Sequence, residues 1–328
     1  MKILFFGDGE WGTRSFARLL RESQQIVGLV VRAKPTDPDI IRLAEDNGLP
    51  VFNPDSVNSP QFIATVKKLN PDLNLSVSYD QIFKEEIIQI TRLGLVNFHA
   101  GKLPFYRGRN VINWALINGE EEIGITAHYV NGGIDTGDII LQRILPIFWE
   151  DTYGDVLKRV VKAFPELVND TVDLIANGRV KRKSQKDLPG TYFAARGEGD
   201  EWIEWQDSSR NIYNKVRAIS HPGPGARTIF NQRIVKIWKA VYNPGWPEYM
   251  ATPGQIVGRI DGRGVMVKTG DSVLELTSVE TDEKGVFVPG WPVGTRLGLK
   301  PATDLKSLIT RVEKLERGLK EIRKKSGL

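Results

Sequence analysis

The order of its elements predicts an α/β protein. A doubly wound, mostly parallel sheet comes first, then a smaller all-β domain and a terminal helix. Three observations carry this expectation. Apolar runs of strand length alternate with segments of helical periodicity over about the first 150 residues. A polar, basic, Pro/Gly-bearing stretch, RVKRKSQKDLPGTYFAARG, then interrupts the pattern. Beyond it, short strand-like runs are separated by glycine turns.

In order, KILFFG reads as a strand buried on both faces, because every residue after Lys2 is apolar or glycine. TRSFARLLRES follows with apolar residues at helical spacing. IVGLVV is a second buried strand, PDIIRLAEDNG a helix ended by Gly48, PQFIATVKKLN another helix and DLNLSVSY a third strand. This βαβα order requires parallel pairing, and ligands should gather at the carboxyl ends of such strands. GLVNFHA is a further strand running into a loop, ITAHYV and DIILQRILPI form a hairpin across NGGIDTG, and a helix follows over about 151–178. After the interruption, NIYNKVRAIS is helical. The runs ARTIFN, RIVKIWKAV, GQIVGRI, GVMVKTG and SVLELTSVE suggest a small β-barrel or sandwich. Domains are therefore expected at 1–188 and 189–300, with a charged helix at 301–328. In that tail Leu305, Leu308, Val312, Leu315, Leu319 and Ile322 alternate steps of three and four. Such a seam suits either packing on its own domain or a homodimer contact.

Composition excludes several classes. The 328 residues are 41% hydrophobic and 26% charged, which suits a globular chain. Cysteine is absent, so disulfides and cysteine-ligated metals are excluded, and three histidines argue against a histidine-rich metal site. No metal is expected. There is no signal-peptide pattern and no apolar stretch long enough to span a bilayer, so the expected location is cytoplasmic, without a membrane partner. The net charge is +5, but residues 301–328 hold eight Lys/Arg against four Asp/Glu. The remaining 300 residues are near neutral, which is weak evidence for binding nucleic acid.

Two motifs compete for the chemistry. G-D-G-E-W-G at 7–12 matches G-x-G-x-x-G between a strand and a helix, the context of a dinucleotide site. The second strand ends in Val31-Arg32, with no carboxylate for a ribose. Arg32 could meet a 2′-phosphate, which keeps an NADP-dependent reductase or a nucleotide binder open; a tight turn that binds nothing is the bland alternative. The richer stretch is 94–142. Asn97 and His99 alternate on one strand face. Lys102, Arg107 and Arg109 lie on a loop marked by Pro104 and Gly108, and Asp135 sits among Gly132, Gly133 and Gly137. Acyl transfer to an amine needs such groups. An imidazole relays the proton, an amide N–H stabilises the oxyanion, and a carboxylate orients the imidazole and favours its charged form. Taken singly, a histidine is more often structural and a loop Asp-x-Gly a turn. His128 and His221 read as structural, and loop anchoring is an equal alternative for Arg107 and Arg109.

Residues 94–142 resemble the core of the folate-dependent formyltransferases, more weakly over 1–180. The carriers are Asn97-x-His99, Leu103-Pro104 and Asp135; WIEWQDSSRNIYNKVRAISHPGPGA resembles the opening of the C-terminal domain in the tRNA and amino-sugar branches. The resemblance implies a Rossmann-like first domain, an open, OB-like barrel in the second and 10-formyltetrahydrofolate as co-substrate. It implies Asn97, His99 and Asp135 as catalytic residues. The folate would lie against the loop Ser78, Tyr79, Asp80, Gln81, Ile82 and Phe83, with Leu103 and Pro104. The glycine loop would then serve the acceptor, with Gly9, Trp11, Arg14, Lys102, Arg107 and Arg109 as candidates.

For the acceptor, Ala100-Gly101-Lys102 looks like the amino-sugar branch. VVRAKPTDPDII is short for the tRNA enzymes, and the body is not basic. The expected acceptor is therefore a nucleotide-linked amino sugar (UDP-, dTDP- or GDP-linked) for surface-glycan synthesis, with methionyl-tRNA as the alternative. The basic run at 179–186 reads as a solvated linker, and is the best argument for tRNA.

Overall fold

The computed structural model describes residues 1–34, 37–186, 188–298 and 309–319. The chain divides into two compact units. One takes Met1–Asp200 with Arg217–Pro224; the other takes Glu201–Val216 and the described residues from Gly225 on.

In the first unit, β1 (Lys2–Gly7), α1 (Gly9–Arg21), β2 (Gln25–Val30), α2 (Pro38–Asp46), β3 (Val51–Phe52), α3 (Pro60–Leu69) and β4 (Leu73–Val77) alternate as expected. Then come α4 (Glu85–Ile88), β5 (Leu95–His99), β6 (Arg107–Gly108), α5 (Val111–Ile117), the hairpin of β7 (Glu122–Tyr129) and β8 (Ile139–Pro146), α6 (Tyr153–Ala176) and β9 (Tyr192–Phe193). The seven-stranded sheet runs β3-β2-β1-β4-β5-β7-β8. It is parallel from β3 to β5 and antiparallel beyond.

The sequence explains the two-sided sheet. Along β1, Phe5 packs on Phe16 of α1 with ring centres 5.2 Å apart. Phe6, pointing the other way, joins Phe62, Val66, Phe83 and Ile87. Each face is covered by helices because from Ile3 to Gly7 neither face carries a polar side chain. The chain winds outward from β1 through β3 and returns to the far side of β1 as β4. This reversal opens a crevice at the carboxyl ends of β1 and β4.

The second unit holds most of α7 (Ser209–Ile219) and an open antiparallel sheet. Its strands are β10 (Ala226–Phe230), β11 (Arg233–Val241), β12 (Ile256–Ile260), β13 (Gly264–Lys268), β14 (Val273–Thr281) and β15 (Gly285–Phe287), in the order β10-β11-β14-β13-β12 with β15 on β14. Lys268 is fully buried, and its ammonium donates to the carbonyls of Thr269, Asp271 and Ser272 at 2.9–3.2 Å. Residues 309–319 are helical, with Val312, Leu315 and Leu319 exposed. The rest of the apolar seam (Leu305, Leu308, Ile322) lies outside the described residues.

Candidate functional site

A cleft of about 930 Å³ lies in the first unit at the carboxyl ends of β4 and β5, within the size range of small-molecule sites. Its wall is the loop after β4, whose residues Ser78–Phe83 all line it. Ser78 turns through a left-handed φ of 56°. The turn is held because Arg32 donates to the Ser78 carbonyl and hydroxyl at 2.6 and 3.1 Å. Gln81 fixes the loop from below, accepting from Val57 N–H (2.8 Å) and donating to the Pro54 carbonyl (3.1 Å). Tyr79 stacks on Phe83 at 5.8 Å, and both meet the edge of Phe6. Ile82 is left projecting, 73% exposed. The result is a flat apolar wall with fixed backbone groups.

The floor is the end of β5. Register places Asn97 opposite His128 and His99 opposite Thr126. Asn97 and His99 share a face because they are two residues apart on a strand. His99 Nε2 lies 2.6 Å from the Tyr106 carbonyl. A carbonyl only accepts, so the neutral ring carries its proton on Nε2 and keeps a lone pair on Nδ1. Nδ1 faces Asp135 Oδ2 at 3.7 Å. Asp135 itself has a left-handed φ of 53°, and its Oδ2 accepts from Gly108 N–H at 2.9 Å.

Two opposing effects set the charge of His99. Burial disfavours the imidazolium; Asp135 and the Tyr106 carbonyl favour it. Burial is the larger, so the pKa falls below the ordinary histidine value. The carboxylate was expected to favour the charged ring, and it does so without winning. For Asp135, burial pushes the pKa upward. His99, His128 and the Gly108 N–H together outweigh it and hold the group ionised well below the usual carboxylate range. The pair at neutral pH is thus a neutral imidazole beside a carboxylate, arranged to accept one proton at Nδ1.

Of the other expected residues, Trp11 and Arg109 line the cleft. Arg14 does not reach it; on the exposed side of α1 it pairs with Glu10 at 2.7 Å. Gly9 sits in the first turn of α1, outside the lining. Lys102 pairs with Glu122. Arg107 is buried, donating to Gln185 Oε1 (2.9 Å) and the Tyr192 hydroxyl (3.0 Å). Leu103 is buried, and its carbonyl accepts from Gln142 at 3.0 Å; neither it nor Pro104 lines the cleft. The expected solvated linker is also corrected. Lys183 bridges to Ile139, Gln185 is buried, and β9 pairs with β6.

His128, expected to be structural, is part of the site. Its Nδ1 donates to the Tyr129 carbonyl (2.8 Å), and the Asn97 amide meets its Nε2 at 3.2 Å. The same Nε2 lies 3.4 Å from Asp135 Oδ1. The hairpin across NGGIDTG was the available signal, because it returns Asp135 toward the last residues of β7. The glycine turn at 7–12 is filled from within. Asp8 is fully buried, accepts from Gly9 and Asp37 N–H (2.8 and 3.0 Å) and lies 3.6 Å from Arg32. A carboxylate thus occupies the helix N-terminus that a dinucleotide phosphate would need.

Gly101 is required by close approach. A Cβ there would lie 2.3 Å from the Tyr106 carbonyl oxygen and 2.5 Å from His99 Nε2. Gly101→Ala must therefore displace the group that fixes the His99 tautomer. A fall in kcat of about 10²-fold is expected from a displacement near 1 Å, read by steady-state kinetics beside an unchanged circular dichroism spectrum.

Family models described as formyl transferase and formyl transferase, C-terminal domain, match residues 1–172 and 196–287. The methionyl-tRNA formyltransferase of Pelotomaculum thermopropionicum is 33% identical over 309 residues, covering 89% of this chain and 96% of the relative. That of Symbiobacterium thermophilum is 34% identical, covering 90% and 95%. Among solved structures, the sugar 3N-formyl transferase WlaRD superposes with a TM-score of 0.63 at 22% identity, covering 84% of this chain and 97% of its own. An N-formyltransferase from Helicobacter canadensis gives 0.64 at 21%, covering 84% and 99%. At that identity they speak for the fold.

The full-length relatives overturn the expected sugar-nucleotide acceptor, and the structure shows why the sequence misled. Gly101 is set against His99 and Lys102 is paired with Glu122, so both have local structural reasons to be there. A near-neutral sum also says nothing of where charges sit on a surface. Matched by the family's models along most of its length and by relatives almost end to end, the chain belongs to the formyl transferase family and is a folate-dependent formyltransferase.

Proposed function

We propose that this enzyme moves the formyl group of 10-formyltetrahydrofolate to the amino group of methionyl-tRNA. The observation that carries the acceptor is the set of relatives with that name, 28–34% identical over 82–92% of this chain. The flat wall of Tyr79, Ile82 and Phe83 with fixed backbone groups fits a planar heterocycle, and the donor's pteridine would lie against Ser78–Phe83. When bound, the donor supplies an activated formyl carbon.

The side chains do the rest. As the amine nitrogen bonds to the formyl carbon, His99 takes the amine's proton at Nδ1 and Asp135 holds the imidazolium so formed. When the tetrahedral intermediate collapses, the bond from the formyl carbon to N10 breaks, the proton passes from His99 to N10, and tetrahydrofolate leaves. Asn97 has one amide hydrogen committed to His128, which leaves the other to meet the developing oxyanion. Trp11 and Arg109 remain as acceptor-side groups at the rim.

Purified protein given 10-formyltetrahydrofolate and methionine-charged tRNA should yield formylmethionyl-tRNA. If the tRNA stays unformylated while another amine is formylated, the acceptor assignment fails. Salt provides a second check. The KM for tRNA should rise about tenfold between 50 and 200 mM salt, equivalent to roughly two released phosphate contacts; a flat dependence argues against a nucleic-acid acceptor.

A further inference from the structure

Asp135 must be brought back to His99 across the sheet face. β7 ends at Tyr129 beside Val96, the start of β5, whereas His99 is at the other end. The turn after β7 therefore leaves the sheet away from the imidazole and folds back along it, on a loop whose four neighbours of Asp135 include Gly133 and Gly137. Glycine-rich loops do not hold such a position unaided, and Asp135 adopts a left-handed conformation that favours glycine.

Two anchors hold it: one comes from the segment after α6, and the other is fixed by that segment. The first is Gln185, 2% exposed, whose Nε2 donates to the carbonyls of Asp135 (3.1 Å) and Gly137 (2.6 Å). Its orientation follows from chemistry. Arg107 can only donate, so it takes Oε1; the two carbonyls can only accept, so they take the NH₂. The second anchor is the Gly108 N–H, which holds the Asp135 carboxylate. Gly108 is fixed by its neighbours' bonds to the same segment: Arg107 N–H to the Thr191 carbonyl and Arg109 N–H to that of Phe193, both 2.9 Å. Phe193 also stacks on Tyr106 at 4.9 Å, and the Tyr106 carbonyl holds His99. One strap thus grips both partners of the His99–Asp135 pair.

We propose that Gln185 is a positioning residue for formyl transfer: by holding the backbone of Asp135 it sets the distance between the Asp135 carboxylate and the His99 imidazole. This rests on the roles given above to His99 and Asp135. A residue that only stabilised the fold would lower the melting temperature and leave the chemistry alone.

The test compares Gln185→Met, which keeps volume without hydrogen bonds, and Gln185→Glu, which keeps the acceptor for Arg107 but loses the donors, with Asp135→Asn. Each is assayed with 10-formyltetrahydrofolate and methionine-charged tRNA, with melting temperatures recorded. Both Gln185 variants should lose tenfold or more in kcat with the folate KM within twofold of wild type. The acid limb of the Gln185→Met pH profile should move to lower pH, as in Asp135→Asn, because His99 loses part of the field that favours its charged form. Wild-type kcat and pH profile in folded Gln185 variants, beside an inactive Asp135→Asn, overturn the proposal and leave the mechanism standing. An active Asp135→Asn overturns the mechanism and the proposal with it. If Gln185→Met does not fold, Gln185→Glu decides on kcat against KM.

Discussion

Exchange of His99 for asparagine should lower kcat by about 10³-fold or more, within the range of general acid–base catalysis, while the protein stays folded. An asparagine amide reaches only as far as Nδ1, so the bond from His99 Nε2 to the Tyr106 carbonyl is lost as well; His99→Gln, whose amide extends to the Nε2 position, is the control that can keep it and should be as slow. What both variants lose is the lone pair on Nδ1. No other imidazole can replace it, because His128 Nε2 is occupied by the Asn97 amide. The measurement is single-turnover formylation with folding followed by near-ultraviolet circular dichroism. A near-normal rate in a folded His99→Asn protein would remove the proton relay from the mechanism.

Asp135→Asn should cost about 10²–10³-fold in kcat, an effect of the size seen when one charge-stabilising group is removed from a preorganised site. The asparagine oxygen can still accept from Gly108 N–H, so the loss should be chiefly that of a charge. The sign of the pH effect follows from the balance at His99. Burial already lowers its pKa and Asp135 partly restores it. Wild type should therefore hold the neutral base down to below about pH 6.5, the free-histidine value. Asp135→Asn removes the restoring charge, so the acid limb of kcat/KM should move to still lower pH. A shift to higher pH would show that Asp135 does not act on His99 through its charge. Stability carries the opposite signature. A carboxylate with a depressed pKa contributes stability above its unfolded value, near pH 3.9, and that contribution is lost on acidification. Wild type should thus lose stability toward low pH more steeply than the variant, measured by urea denaturation at pH 3 and 6.

The sheet was legible because the inner stretches of its first two strands are apolar on both faces. KILFFG and IVGLVV admit few other environments, and the order of elements then dictates parallel pairing. Asn97 and His99 were legible from strand alternation and Asp135 from its glycine-rich hairpin, all reinforced by family resemblance. The short β6 and β9 were not, since two residues carry no period and their pairing is fixed by partners 85 apart in sequence. Gln185 was hidden for a related reason. In RVKRKSQK it has the composition of a solvated run, and only the Arg107 fork and two carbonyls make it a buried residue. His128 required the register of β5 on β7, which sequence alone does not supply. The acceptor was misread because residues that serve local packing, Gly101 and Lys102, were taken as marks of specificity.

The strap also has a meaning in time. Ribosomal synthesis delivers Asn97, His99 and Asp135, then all seven strands of the sheet by Pro146, then α6 by Ala176. At that moment a nascent chain contains the three side chains and the frame that carries them. It still lacks Gln185, Thr191 and Phe193, and with them the bonds that hold Asp135 and Gly108. Competence would then lag behind the frame by the time needed to make roughly the next twenty residues, about one to four seconds at ordinary elongation rates. The last part of the catalytic site to be born is a stretch that brings no reactive group of its own.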